Sequence, residues 1–168
     1  NPAYDWQKVL PGNTSKTLWG SEIIPLDSLP QVLNPTSGFV FNTNNSPFSA
    51  SDSLNNSKET NLNKIMGYQS VGLENNRSSR FLELMAQYDS ISYTDFKKIK
   101  YDSQYPSKLQ TPQATNLEIM LNLNEQRYPE IADAIVLLKK WNRKSNKDNT
   151  IDPLFILSYM HLDKKRKE

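Results

Sequence analysis

The chain has 168 residues, 36% of them hydrophobic, with 20 basic against 18 acidic side chains and no cysteine. Without cysteine, disulfides, thiolate metal sites and cysteine nucleophiles are excluded. The net charge of +2 lies wholly in the last six residues, Asp163 to Glu168, where four basic groups meet two acidic ones. The rest of the chain is neutral and lacks the basic face that nucleic-acid binding needs.

This length suits one domain with a real core. Even with glycine counted, however, the apolar share falls short of the roughly 45–50% usual for compact domains. That deficit fits a chain that takes part of its core from elsewhere. Leu, Ile, Phe, Tyr and Trp recur throughout, so the composition is not that of a disordered segment. No apolar run approaches membrane-spanning length, and the N-terminus lacks the charged-then-apolar layout of a signal peptide. A start at Asn1 with no Met is expected from processing or from a chosen boundary.

Residues 1–74 read as loops with short extended pieces. Pro11-Gly12-Asn13, Pro25, Pro30 and Asn34-Pro35 recur too closely for long helices. Gly38-Phe39-Val40-Phe41 is the one convincing strand, apolar and bounded by turn formers, and Asn44-Asn45-Ser46-Pro47 ends it. A polar stretch from Ser49 to Asn63 follows, expected as a long exposed loop.

Residues 75–168 read as helical. Phe81, Leu84 and Met85 stand at the spacing of an apolar stripe. A second helix is expected after Ser92-Tyr93-Thr94-Asp95, with Phe96 and Ile99 in its body. Ile131, Ala134, Ile135 and Leu138 repeat the pattern, with Trp141 closing it and Pro129 near the first turn. Asn142 to Asn149 is a polar connection. A last helix runs from near Ile151 into the basic tail, with Pro153 in its first turn. The fold class is thus α+β, a loop-and-strand half followed by a mainly helical half.

Little in the chain offers self-contained catalysis. His161 is the only histidine and sits among Lys and Asp at a helix end, the place of a solvent-facing residue rather than a triad base. One His and no Cys make no usual zinc or iron site. Five scattered glycines make no phosphate loop.

The distinctive stretch is Asn34-Pro35-Thr36-Ser37-Gly38-Phe39-Val40-Phe41-Asn42-Thr43-Asn44-Asn45-Ser46-Pro47-Phe48. It resembles the penicillin acylase family of N-terminal-nucleophile hydrolases, which carry Asn-Pro-x-Ser-Gly, an apolar strand, then Asn-x-Asn-Asn-Ser/Thr-Pro. Asp5-Trp6, Leu10-Pro11-Gly12, Trp19-Gly20 and Leu29-Pro30 are similar to the same family upstream, and Asn76-Arg77 and Ala132-Asp133…Trp141-Asn142 downstream. Asn142 stands where the family's helix ends in Asp. The resemblance covers nearly the whole chain.

The resemblance implies a piece of an αββα enzyme that cleaves acyl amides with an N-terminal Ser lying outside these residues. The serine's own α-amine is the base, suited to the task because such an amine titrates near pH 7.7–8.0. Acyl transfer creates a tetrahedral oxyanion that fixed donors must meet, and losing one donor costs about 2.7–4 kcal/mol of transition-state stabilisation. The family's oxyanion-hole Asn corresponds to Asn44. By residue type alone Asn44 is equally a turn former; the flanking pattern favours the donor role. Arg77 corresponds to an Arg near the reaction centre, and Arg80 takes its place if the match slips by one turn.

Some members bind a structural calcium. Asp52 is the nearby carboxylate, and a single one is weak support for a calcium cage; no cofactor is expected. The implied partners are the remainder of the same enzyme and a small acylated amide substrate, with a periplasmic or extracellular location. Since Asn1 is no nucleophile and Ser15, Ser21 and Ser28 are internal, these residues alone are expected to be inactive. The competing reading is a carbohydrate- or lipid-binding module of a cell-envelope protein, using Trp6, Trp19 and Tyr68 for stacking.

Overall fold

The computed structural model describes residues 4–5, 8–18, 20–58, 75–109 and 118–167. Among them the expected division into two halves holds for the helices but not for the strand. The N-terminal half carries only single 3-10 turns, at Ser15–Thr17, Leu26–Ser28 and Pro47–Ser49. No described residue belongs to a strand ladder; the one bridge joins Gln104 to Lys144 in antiparallel sense.

The segment expected as a strand nevertheless keeps a strand's alternation. From Ser37 to Asn45, half-buried and exposed residues follow one another without a break. Phe39 and Phe41 fall on one side and both meet Phe81, with ring centroids 5.8 and 4.5 Å apart, whereas Val40 between them is exposed. This is the period of two that a pleated backbone imposes. What is missing is a partner. The Phe41 N–H goes to the Ala50 carbonyl at 2.9 Å, and the Phe39 carbonyl accepts the Ser51 hydroxyl at 3.0 Å. Local loop groups thus take up hydrogen bonds that a neighbouring strand would otherwise supply.

The helical half follows its periodicity closely. Helix α1 (Asn76–Met85) begins at Asn75, whose side chain accepts the Arg77 and Ser78 N–H groups while Ser78 returns the bond to the Asn75 N–H. This reciprocal cap satisfies donors that a helix start leaves without partners. Helix α2 (Tyr93–Lys100) is capped by Ser92, whose hydroxyl accepts the Asp95 N–H. A one-turn helix α3 (Glu118–Leu121), not expected from the sequence, precedes α4 (Ala132–Lys139), which continues a 3-10 turn at Pro129–Ile131. The last helix, α5 (Asp152–Lys167), starts where Asn149 accepts the Ile151 and Asp152 N–H groups.

The main core joins Leu109, Leu121, Leu138, Trp141 and Phe155. Trp141 stacks on Phe155 at 4.3 Å between centroids, and Tyr105 packs edge-on against both. The Gln104–Lys144 bridge pins this region together, with Tyr105 N–H to the Arg143 carbonyl and Ser145 N–H to the Ser103 carbonyl, each at 2.8 Å. Arg143 adopts a left-handed backbone there and forks its guanidinium onto Glu118 of α3. No described helix is long and apolar enough to cross a membrane.

Candidate functional site

The asparagine-rich turn is built by two of its asparagines and presents a third. Asn42 accepts the Asn44 N–H at 2.8 Å. Asn45 accepts the Thr43 N–H and hydroxyl at 2.7 and 2.9 Å and donates to the Ser49 carbonyl at 2.6 Å. Ser46 and Phe48 are almost wholly buried beneath, and Ser46 caps the 3-10 turn by accepting the Phe48 N–H. Side chains that hydrogen-bond their own backbone two residues away are what asparagine offers a turn. Asn44 sits between these braces with φ of 61°, a left-handed conformation that Asn tolerates better than most residues. Its side chain is left to face outward.

Helix α1 meets that side chain. Arg77 Nη2 donates to Asn44 Oδ1 at 3.0 Å, and Asn75 Nδ2 donates to the Thr43 carbonyl at 3.1 Å. Both sequence candidates for the site, 33 residues apart, are therefore in direct contact. The contact has a chemical consequence. A guanidinium has donors only, so the amide must turn its oxygen toward Arg77 and its NH₂ away. Among the described residues that NH₂ has no hydrogen-bond partner, and no carboxylate pairs with Arg77.

Arg80, the alternative to Arg77, is committed elsewhere. Its guanidinium forks onto Asp102, Nε to Oδ2 at 2.8 Å and Nη2 to Oδ1 at 3.1 Å, and reaches Glu83 through Nη1 at 3.2 Å. The Arg80 hydrogen bonds hold Asp102 below its ordinary carboxylate range, and Asp102 in turn holds Arg80 up. At Glu83, burial pushes the pKa up, but the Ser107 hydroxyl and N–H together with Arg80 outweigh it, so the net shift is downward. An arginine so fixed ties α1 to the end of α2 and has no donor group directed at Asn44.

An open groove of about 680 Å³ runs beside the pair, from Thr43 and Arg77 past Phe81 and Phe96 to Asp102 and Pro106. Asn44 adjoins it through Thr43 and Arg77 without lining it. Asp52 accepts the Asn55 N–H and side-chain amide, and no cluster of three or more His, Cys, Asp or Glu residues exists among the described residues. Among the described residues Asp52 thus belongs to no such cluster. His161 is exposed on α5. Trp6, Trp19 and Tyr68, on which the sugar-binding alternative rests, lie outside the described residues.

Arg80 and Glu83 stand at the i,i+3 spacing of a helical pair, but no motif joins them to Asp102 or Arg143 to Glu118, 22 and 25 residues apart. Asn75 was legible in principle: an Asn three residues before a Ser, at the start of an apolar-periodic stretch, signals a reciprocal cap.

A braced amide with its donor side turned outward is a hydrogen-bonding device, and an acylase-like amidohydrolase is the class of protein to which the whole chain points. The chain belongs to the penicillin amidase family, whose model matches residues 2–166. No solved structure matches the chain.

Proposed function

We propose that this chain supplies the side-chain donor of the oxyanion hole in an enzyme that hydrolyses acyl amides. Asn44 is that donor and Arg77 its orienting partner. The carrying observation is the 3.0 Å contact from Arg77 Nη2 to Asn44 Oδ1. Because the arginine can only donate, it selects the amide orientation that presents N–H bonds to an incoming oxygen. An electrostatic benefit follows. The Arg77 charge has no carboxylate partner among the described residues, so it polarises the Asn44 amide toward stronger donation. A donor fixed before the reaction, with no reorganisation as charge develops, is the arrangement that stabilises a tetrahedral oxyanion.

The attacking group in this reading is an N-terminal Ser from another segment of the enzyme, which acts outside the cytoplasm on a small acylated amide. The serine hydroxyl adds to the amide carbonyl as its proton passes to the serine α-amine; the α-ammonium then returns that proton to the leaving nitrogen, and collapse expels the neutral amine and leaves an acyl-enzyme for water to cleave. With the nucleophile supplied by that other segment, no turnover is expected from these 168 residues alone.

The test is Asn44→Ala in the full-length gene product, assayed on a panel of chromogenic N-acyl anilides. Turnover should fall about a hundredfold or more while KM and thermal stability change little. Unchanged kcat in the folded variant would remove Asn44 from the oxyanion hole.

A further inference from the structure

We infer that Asn75 is a positioning residue for the Asn44–Arg77 pair, holding two segments in register with a single side-chain amide. The inference rests on the oxyanion reading of Asn44 and adds the group that sets its geometry.

The two ends of the Asn75 amide do separate work. Oδ1 accepts the N–H groups of Arg77 and Ser78, both at 3.0 Å, and so fixes the first turn of α1. Nδ2 reaches back 32 residues to donate to the Thr43 carbonyl at 3.1 Å. The first contact fixes the backbone of the residue that carries the orienting guanidinium. The second fixes the backbone one residue before the donor amide. One planar group thus spans the two parts that must meet for Arg77 to touch Asn44.

Alternative placements are constrained on both sides. Asn45 holds the Thr43 N–H and hydroxyl, and Ser78, wholly buried, returns its hydroxyl to the Asn75 N–H. The Asn75 amide therefore joins two local structures that are each already braced, and its loss lets them slide past one another without unfolding either. A displacement of about 1 Å between reacting or orienting groups can cost up to a hundredfold in rate.

Asn75→Asp separates the two jobs. Aspartate caps a helix as well as asparagine does and complements the helix dipole, so α1 keeps its start. It has no N–H to give, however, and sets a carboxylate oxygen against the Thr43 carbonyl. A merely capping Asn75 tolerates this change; a positioning one does not.

The experiment compares wild type, Asn44→Ala, Asn75→Asp and the double variant as full-length processed enzyme. It measures kcat per titrated active site, KM on an N-acyl nitroanilide that wild type turns over, and thermal midpoint. Asn75→Asp should lower kcat about tenfold to a hundredfold with KM within about twofold and an unchanged midpoint. In the Asn44→Ala background the same change should add less than about twofold, because Asn75 acts through Asn44. Full kcat in Asn75→Asp overturns the inference, and so does an undiminished loss in the double variant. If Asn44→Ala itself leaves kcat untouched, the oxyanion reading fails first. In that case a crystal structure of Asn75→Asp still decides the positioning claim, by whether Arg77 keeps its contact with Asn44.

Discussion

Asn44 and Asn45 are neighbours of one residue type with opposite duties. Asn45 uses its oxygen on Thr43 and its nitrogen on Ser49 and Ser46, so its amide is consumed by the turn. Asn44 contributes its N–H to Asn42 and its oxygen to Arg77, which leaves the NH₂ for an external acceptor. The difference supports a sharp comparison of three substitutions. Asn44→Asp keeps an acceptor for Arg77 and exchanges a neutral contact for an ion pair, so folding should hold. Yet it replaces the outward donor with a second carboxylate oxygen, which repels a developing oxyanion. Turnover should fall at least as far as in Asn44→Ala, about 10²–10³-fold, with the thermal midpoint equal to or above wild type. Arg77→Ala should do less, about tenfold in kcat, because the amide survives and only its orientation is lost. Steady-state kinetics beside thermal melts on the three variants would show whether this order holds.

At the scale of elements, α1 is the piece on which the site depends, and it is tied down at both ends. Asn75 holds its start to the turn; Arg80 and Glu83 hold its body to Asp102 and Ser107. All the helices but the one-turn α3 were legible, since Phe81, Leu84 and Met85 show the period of 3.6, and Ser92 and Pro129 mark the starts of later ones. Asn44 and Arg77 were legible only through the family pattern, because nothing in local chemistry says that residues 33 apart will touch. The long-range ion pairs were not legible: Arg80 and Asp102 are 22 residues apart, and charge alone reads the same on a solvated face. Gly38 to Phe41 reads in the sequence as an apolar strand bounded by turn formers; the structure keeps a strand's alternation there but gives it no ladder partner among the described residues, since pairing belongs to two segments and alternation to one.

The ion pairs give the fold a pH dependence of defined sign. Arg80 lowers Asp102, and Arg143 lowers Glu118, while Ser107 and Arg80 bring Glu83 down against its burial. A carboxylate whose folded pKa is depressed binds fewer protons folded than unfolded, so it stabilises the fold above its unfolded pKa and ceases to as pH falls through the folded value. The unfolded references are 3.8 for Asp102 and 4.5 for Glu83 and Glu118. Stability from these groups should be flat from pH 7 down to about 5 and decline below their unfolded values. Asp102→Asn should flatten part of that decline in urea titrations at several pH values, and at pH 7 it should cost about 1–3 kcal/mol. An acid limb as steep as that of wild type would show that the Arg80 fork contributes nothing.

Across the whole molecule, burial is uneven in a way that links the core to the site. The large buried side chains are gathered around Trp141 and Phe155, whereas in the N-terminal half Val9, Ile23, Leu33 and Leu54 lie in the open and, among the described residues, Phe48 alone of the apolar ones is fully buried. A chain of contacts joins this core to the helix that carries Arg77. The Trp141 indole N–H donates to the Lys144 carbonyl at 3.2 Å. Lys144 forms the bridge with Gln104, and Asp102 beside that bridge receives Arg80 of the helix that carries Arg77. Two substitutions separate the packing from the hydrogen bond. Trp141→Ala removes the ring that stacks on Phe155 and should cost about 3–5 kcal/mol, a large fraction of the 5–15 kcal/mol typical of a domain. Trp141→Phe retains much of the stacking and gives up the N–H, leaving the Lys144 carbonyl without that donor for a cost of about 1 kcal/mol. Amide exchange adds a spatial reading. If rigidity passes along this route, Trp141→Phe should speed exchange at the Tyr105 and Ser145 amides, whose bonds form the bridge, while the capped amides of α5 keep their protection. Equal acceleration everywhere would mean that the core acts on the site only through global stability, not through the bridge.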